Sequence, residues 1–353
     1  MRPPAPPPPI EGVTLTLAAF IGVTSGEEAS DLVRSTAEFA HHWPDDTPLA
    51  TAVEQFFANR GTRAWVVPVE RLTPKRVRAA VADLDPEVAL VAIPADPVAS
   101  PDVIAAADDE LAGRGALLLL DAPWTSVPEA IAAMADPVAT LGAAGRDSVV
   151  YWPRLRRVLA DGSSREISPL GAVAGIISHC EDAHGVHRTP AGANTRIAGV
   201  AGPAVTVDDR EMDPLNAEHV NVIRQFPGLG TVVWGARTLS SDPEWKYVPV
   251  RRMAVFLERS LRRGLQWAVF EPNDAPLWDR VRESVEDFLQ ELFRGGMLGG
   301  PRPDSSYFVR CDRTTMTQAD IDNGRLVVRV GFAPLRPAEF IVLTLRMDVA
   351  AGH

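Results

Sequence analysis

Side chains that bind metals are concentrated in one short segment, residues 179–187. His184 and His187 lie three positions apart, and a histidine, a cysteine, a glutamate and an aspartate precede them. These side chains are common ligands of zinc and related metals. However, Gly185 interrupts the segment, and no second ligand group follows at a recognisable spacing. Packed or solvated loop histidines are therefore the favoured interpretation, with Cys180 as a buried small hydrophobe.

A single carboxylate, Asp121, ends an apolar run that begins at residue 116. Proteins with a parallel sheet often hold a functional carboxylate at the end of such a strand. No partner motif accompanies Asp121, so a residue that caps the end of the strand is the favoured interpretation.

Motifs of nucleotide, metal and nucleophile chemistry do not occur in the sequence. There is no phosphate-binding loop of the Gly-x-x-x-x-Gly-Lys-Ser/Thr type, no His-Glu-x-x-His and no Cys-x-x-Cys. Residues 228–230 (Gly-Leu-Gly) precede a strand candidate and do not form a dinucleotide fingerprint. We therefore predict no catalytic, cofactor-binding or metal-binding residue and no cofactor.

The composition excludes several classes of function. The chain has 353 residues, 46% of them hydrophobic, and a formal net charge of −11, which argues against general nucleic-acid binding. The longest apolar runs are too short to span a bilayer, and the N-terminus has no apolar signal core. Two cysteines, Cys180 and Cys311, are too few for a disulfide framework, so a cytoplasmic location is expected.

Apolar runs alternate with amphipathic segments in the first part of the chain. This alternation predicts an α/β outer domain over residues 13–147, after a proline-rich tail at residues 1–12. The apolar runs lack alternation with polar residues, as expected for strands that are covered on both faces. The predicted strands are residues 14–23, 64–69, 88–94 and 116–121.

The second part, residues 148–353, is less regular and predicts an α+β domain. A helix is expected over residues 250–263, a strand over 265–270 and a long helix over 274–293 that Asn273 caps. Arg251 and Arg252 lie at a helix start, where the helix dipole favours acids. We predict that they bond carboxylates of a neighbouring subunit; solvated surface arginines are the alternative.

Several strings in the second part resemble the phage tail sheath family, most specifically Thr-Val-Val-Trp-Gly-Ala-Arg-Thr-Leu at residues 231–239. The front of the chain, Pro-Ile-Glu-Gly-Val at residues 9–13, is similar to the same family. Other matching strings are found at residues 149–153, 169–176, 182–190, 215–224, 245–252, 260–273 and 314–324.

The resemblance implies a tail-sheath-like fold and a structural role without catalysis. It implies a subunit that polymerises as stacked rings around an inner tube and contracts to drive the tube into a target. The implied partners are further copies of the chain, an inner tube protein, and baseplate and cap proteins, with no nucleic acid and no membrane insertion. The assembled phage-tail-like particle is either released or kept in the cell.

The end of the sequence, residues 339–349, alternates between apolar and polar residues with the period of a strand. We predict an extended strand arm that pairs with a sheet of a neighbouring subunit. In an isolated chain this arm should project or lie loosely with its apolar face uncovered. The alternative is that the strand closes its own sheet. The predicted interface residues are Phe340, Ile341, Val342, Leu343, Thr344, Leu345, Met347, Arg251 and Arg252.

One departure from the family pattern lies at the front, where only residues 1–8 precede the Pro-Ile-Glu-Gly segment. The family resemblance implies a longer N-terminal arm at this place. A variant sheath, a terminal or baseplate-proximal paralogue, a non-contracting sheath-like cap and a misassigned start therefore remain alternatives. An α/β enzyme or ligand-binding protein is the rival from another class, and it would need a convergent polar site.

Overall fold

The computed structural model of the chain describes residues 7–25, 29–335 and 341–350. Its contacts divide the chain into two compact units. The large unit is Leu15–Arg251, and the small unit combines Met1–Thr14 with Arg252–His353. The small unit is therefore built from both ends of the sequence.

Strands and helices alternate along the large unit, as the sequence predicts. Its strands are β1 (Ala18–Val23), β2 (Asp31–Val33), β3 (Ala64–Val69), β4 (Leu90–Ala92), β5 (Leu117–Leu120), β6 (Ser148–Trp152), β7 (Leu155–Val158), β8 (Ser164–Ile167), β9 (Gly202–Pro203), β10 (Asn221–Phe226) and β11 (Gly230–Val233). Its helices are α1 (Thr36–His42), α2 (Pro48–Ala58), α3 (Pro74–Ala82), α4 (Pro101–Leu111), α5 (Val127–Ala133), α6 (Pro137–Leu141), α7 (Leu170–His184) and α8 (Asp209–Ala217). A short 3₁₀ helix covers Pro243–Trp245.

The main sheet of the large unit has the strand order β11-β10-β6-β5-β4-β1-β3-β2. The pairs from β10 through β3 are parallel, and antiparallel pairs attach β11 and β2 at the two edges. The order confirms the predicted α/β architecture. A second sheet has the order β8-β7-β9.

Hydrophobic cores cover both faces of the main sheet. The four leucines of β5 illustrate this, since Leu118 and Leu120 enter one core and Leu117 and Leu119 enter the other. Side chains alternate along a strand, so a run without polar residues can be buried only between two layers. Strand β5 therefore has a packing layer on each side.

Several helices of the large unit have serine or threonine as the N-cap and proline at the first or second position of the helix. Thr47 and Thr73 each accept a hydrogen bond from the backbone N–H three residues later. Such a cap satisfies one of the four N–H groups that a helix start leaves without a partner.

The predicted boundary between residues 147 and 148 falls inside the large unit. Strand β6 begins at Ser148 and pairs with β5 on one side and β10 on the other. A central parallel strand needs hydrogen-bonding neighbours at both edges, and here they come from both sides of the predicted boundary. Which part of the chain faces outward in an assembly stays a prediction.

The small unit contains a three-stranded antiparallel sheet and long helices. Its elements are most of α9 (Val248–Gly264), α10 (Ala275–Arg294), α11 (Gln318–Asp322), β12 (Tyr307–Arg310), β13 (Arg325–Phe332) and β14 (Ile341–Asp348), with the sheet order β12-β13-β14. A 3₁₀ helix at Gln266–Phe270 replaces the predicted strand over 265–270, because an apolar run this short does not separate the two structures. Asp274 caps α10, and the predicted cap Asn273 instead accepts a hydrogen bond from Trp278 Nε1 at 2.8 Å.

Part of the predicted N-terminal tail is packed within the small unit. Ile10 is buried, and a side chain in place of the hydrogen of Gly264 would lie 2.8 Å from its carbons. The backbone N–H of Val13 donates to Ser260 Oγ at 3.1 Å. Residues 7–12 are therefore not a free tail, because apolar contact and a hydrogen bond fix this stretch on α9, while residues 1–6 lie outside the described residues.

Candidate assembly surfaces

Strand β14 pairs with β13 of its own chain over all eight residues, from Ile341 opposite Phe332 to Asp348 opposite Arg325. The expectation that this strand projects from an isolated chain is therefore wrong, and the alternative, closure of the subunit's own sheet, is what the structure shows. The physical reason is that β13 offers a free edge of equal length and matching apolar residues. Phe340 lies outside the described residues.

The predicted apolar face of β14 is turned inward. Ile341 and Leu345 are each 1% exposed, Leu343 and Met347 are half-buried, and Val342, Thr344 and Arg346 are exposed. The alternation predicted from the sequence is thus confirmed. The strand that pairs with β14, however, belongs to the same chain and not to a neighbour.

The second edge of β14 has no strand beside it in the described part of the chain. The N–H of Val349 donates to the carbonyl of Gly324 at 2.6 Å, which fixes the pattern of the β13–β14 ladder. By alternation, the N–H groups of residues 342, 344, 346 and 348 point to the outer edge. Such a row of unpaired backbone groups can pair with a strand of another chain.

The outer face of the small sheet carries aromatic and basic side chains. A side chain at Gly331 would collide with the ring of Phe308, its cross-strand neighbour, so the ring lies over this glycine. The guanidinium of Arg310 lies 5.4 Å from the centre of the same ring. On neighbouring strands, Arg329 and Arg346 are exposed.

The two arginines predicted at the start of a helix are buried. Arg251 is 5% exposed, its Nε donates to Asp147 Oδ1, and its guanidinium lies 5.7 Å from the ring of Trp245. Arg251 therefore bonds a carboxylate of its own chain, and not a neighbour's as predicted, because the fold brings the loop before β6 to α9. Arg252 is 3% exposed; a role for it between subunits stays a prediction.

A large apolar side chain that the sequence did not single out is exposed in the small unit. Phe270, at the end of the 3₁₀ helix, is 87% exposed, and Val269 beside it is 40% exposed. The adjacent Trp267 lies under Arg280, 5.2 Å from the ring centre, and Arg280 also bonds Glu271 at 2.7 Å. Aromatic residues and arginine are both enriched at protein interfaces, so this region is a candidate contact surface.

A polar cleft lies at the carboxyl ends of the parallel strands of the large unit. Its volume is about 210 Å³, and Asp96, Arg154 and Ser168 are among its lining residues. Arg154 lies 3.3 Å from Asp96 and 3.7 Å from Asp121. Burial raises the pKa of Asp121 to about 6, while Arg154 opposes the rise.

Asp121 accepts a hydrogen bond from the N–H of Ala122 at 2.8 Å, as expected for a residue that caps a strand end. Its other neighbours are the cation Arg154, the hydroxyl of Ser168 and a second carboxylate, Asp96, which bonds Arg154. The cleft therefore has the geometry of an internal ion pair.

The histidines of residues 179–187 do not converge. Nε2 of His179 lies 2.8 Å from a guanidinium nitrogen of Arg60. Burial and the charge of Arg60 lower the pKa of His179. Burial also lowers the pKa of His187. In the described residues, no group of three His, Cys, Asp or Glu side chains is arranged to hold a metal ion. Within the same residues, every helix is too short or too polar to cross a membrane.

Comparison with sequence families gives two adjoining matches. The model of the phage tail sheath protein central domain matches residues 74–239, and that of the phage tail sheath C-terminal domain matches residues 240–348. A prophage major tail sheath protein of Pseudomonas aeruginosa (strain UCBPP-PA14) is 26% identical over 188 residues, which are 51% of this chain and 46% of that protein. The chain thus aligns with about half the length of this curated relative.

Several solved structures similar to this chain come from contractile injection systems. One is the sheath complex of an extracellular contractile injection system, PVC, in its contracted state, with 29% identity, a TM-score of 0.80, and coverage of 99% of this chain and 96% of that chain. Another is a chain of the baseplate of the anti-feeding prophage, with 27% identity, a TM-score of 0.78, and coverage of 99% and 97%.

Proposed function

Because the chain belongs to the phage tail sheath family, we propose that it is a structural subunit of a contractile sheath. The observation that carries the proposal is the likeness over 99% of the chain to a sheath subunit in its contracted state. Copies of the chain form rings, and the rings stack around an inner tube and shorten together to drive the tube forward. The baseplate lies at one end of the stack and a cap at the other. The particle is built in the cytoplasm.

The proposal needs no catalytic step. Motion in such an assembly comes from two packings of the same subunits that differ in free energy, so the energy is stored when the longer packing is built. The polar cleft of the large unit supports this view, because Arg154 is paired there with Asp96 and Asp121.

We further propose that the outer edge of β14 receives a strand from a neighbouring copy. Its unpaired backbone groups supply the hydrogen bonds, each contributing about 1 kcal/mol net. Interface roles for Val342 and Thr344 on this edge, predicted from the sequence, are part of the same proposal. The strand can join without leaving its own sheet, because β13 occupies only one of its two edges.

The experiment compares the purified chain with Thr344→Pro by electron microscopy and sedimentation. The wild-type chain is expected to form striated tubes or rings. Thr344 N–H points to the outer edge, so proline removes a donor for the neighbour and leaves the bonds to β13 in place. The concentration needed for assembly should rise roughly tenfold or more.

Thr344→Ala is the matched control and should assemble like the wild type. Leu345→Pro should unfold the small sheet, because its N–H faces β13. If the wild-type chain stays monomeric with tube protein and baseplate present, the sheath function is wrong. If Thr344→Pro assembles normally, only the role of the β14 edge is wrong.

A further inference from the structure

Three arginines form a row on the outer face of the small sheet. Arg310 on β12 lies directly opposite Arg329 on β13, and Arg329 lies opposite Thr344 on β14. Arg346 is two positions further along β14, on the same face. Opposite residues are about 5 Å apart and diagonal ones about 7–8 Å, so the row spans three strands with one cation on each. We call these residues the arginine row.

The arginine row is unfavourable for the isolated subunit. Like charges placed directly opposite on neighbouring strands destabilise a sheet. In the described part of the chain, none of the three forms an ion pair within 4 Å; Arg310 lies over the Phe308 ring, and its charge contributes to the lowered pKa of Asp312. A sheet that keeps three cations together on an exposed face gains stability when an anionic surface covers them.

The chain carries an anionic surface of matching size on α10. Glu283, Glu286, Asp287 and Glu291 are exposed, and their spacing places them on one side of the helix. Four residues of helix rise about 6 Å, so successive acids are separated by about the same distance as the arginines. These four residues are the acidic stripe. In the described residues no ion pair involves any of them, and Arg294 is the cation that follows at the last turn.

The two surfaces cannot meet within one subunit. Tyr307 alternates with Phe308 and Arg310 along β12, so it points to the opposite face of the sheet, where its hydroxyl donates to Gln290 of α10 at 2.7 Å. Helix α10 thus lies on the side away from the arginine row. The buried side of α10, including Val281, Val285 and Leu292, is its side opposite the acids. Burial and the charges of Glu286 and Asp287 raise the pKa of Tyr307, so the stripe lies along the Tyr307 side of the sheet, away from the arginine row.

We propose that the arginine row of one copy docks on the acidic stripe of the next copy. This inference rests on the proposed sheath function and identifies one contact of that assembly. A contact between two different surfaces of the same chain is heterologous, and it leaves both surfaces free at the ends of each oligomer. Repetition of the contact therefore gives a closed ring or an open helix, which are the forms a stacked sheath requires.

The test reverses the charge of each surface in a separate variant and then the charges of both surfaces in one variant. The first variant is Arg310→Glu, Arg329→Glu and Arg346→Glu, and the second is Glu283→Lys, Asp287→Lys and Glu291→Lys. Each is expected to raise the concentration needed for assembly at least about tenfold, because like charges then face each other across the contact. The chain with all six changes has the wild-type net charge and complementary surfaces, and it should assemble again.

A matched control changes the same amount of charge elsewhere. Arg34→Glu, Arg71→Glu and Lys75→Glu replace three exposed cations of the large unit, and this variant should assemble like the wild type. Thermal unfolding of every variant, followed by circular dichroism, shows that the subunits are folded. Assembly of the wild type should also weaken as salt rises, since screening is strong at about 0.5 M.

The outcomes separate the two proposals. Rescue by the six-residue variant supports the contact, because no change that merely unfolds the small unit can be reversed by a second set of changes. If the arginine variant fails to assemble and the six-residue variant fails equally, the arginine row binds another partner, such as the tube, and the inference is wrong. If both single-surface variants assemble normally, the inference is wrong while the sheath function stands.

Discussion

The two sheets of this chain differ in how many of their faces are buried. The main sheet of the large unit has a hydrophobic core on each face, with Phe20 and Leu118 at 0% exposure. The small sheet buries Val328 and Val330 on one face and exposes Arg329 on the other. A sheet buried on both faces has little surface left for partners, so contacts between subunits are expected on the small sheet.

The two units also differ in whether their charged side chains are buried or exposed. In the large unit, Asp121 and Arg154 form a buried pair, and burial raises the pKa of the aspartate. In the small unit, Arg310 and Arg329 are opposite each other on an exposed face. Buried charge makes stability depend on pH, whereas exposed charge makes association depend on salt. The two units should therefore respond to different changes in solution.

The largest effect should come from a truncation in the core of the large unit. Phe20 is fully buried and its ring contacts that of Phe56, with centroids 5.4 Å apart. Phe20→Ala should lower the free energy of unfolding by about 3–5 kcal/mol, measured by urea denaturation. Phe270→Ala is the matched control: the same truncation at an exposed ring should change stability by less than about 0.5 kcal/mol. Equal losses at both sites would remove the contrast between the units.

A smaller effect should appear as a dependence of stability on pH. The pKa of Asp121 is raised by burial to about 6 from an ordinary value of 3.8, so the folded state favours the protonated acid. The stabilisation is complete below pH 3.8 and is lost as the pH rises through 6. Relative to Asp121→Asn, the wild type should lose about 3 kcal/mol between pH 3.5 and 7.5.

The measurement for Asp121 is a series of urea denaturations across this pH range. Asp83→Asn, which changes an exposed carboxylate of the same unit, serves as the control and should follow the wild-type curve. A wild-type curve parallel to that of Asp121→Asn would show that the buried pair stays ionised throughout.

The smallest effect should be a gain in stability within the small unit. Arg329→Gln removes the cation opposite Arg310, and it should stabilise the isolated subunit by about 0.2–1 kcal/mol. The same change should weaken assembly, so stability and association move in opposite directions. Differential scanning calorimetry and sedimentation measure the two quantities, and Arg329→Lys, which keeps the charge, should leave both near wild type.

The architecture of the large unit could be predicted because burial on both faces leaves a clear pattern in the sequence. The apolar runs of β5 and β3 match strands that are covered on both faces, and the structure places them there. Threonine followed by proline likewise marks the start of α3. These signals are local, so a single sequence is enough to find them.

The features of the small unit depend on pairing that the sequence does not encode locally. The alternation in residues 339–349 predicts the inward face of β14, but not whether β13 or another chain lies beside it. The arginine row is visible only when the register places Arg310 opposite Arg329. Phe270 lies in an apolar run that suits a strand or a buried helix equally well, and its exposure follows from the tertiary fold.

The small unit also constrains the order of events during synthesis. Val13 bonds Ser260, 247 positions further along the chain, and Ile10 packs against Gly264 nearby. A ribosome that adds residues from the N-terminus has released all of the large unit before these partners emerge. The arginine row and β14 are made later still. A nascent chain can therefore complete its large core while the surfaces proposed for polymerisation do not yet exist, which delays association until translation ends.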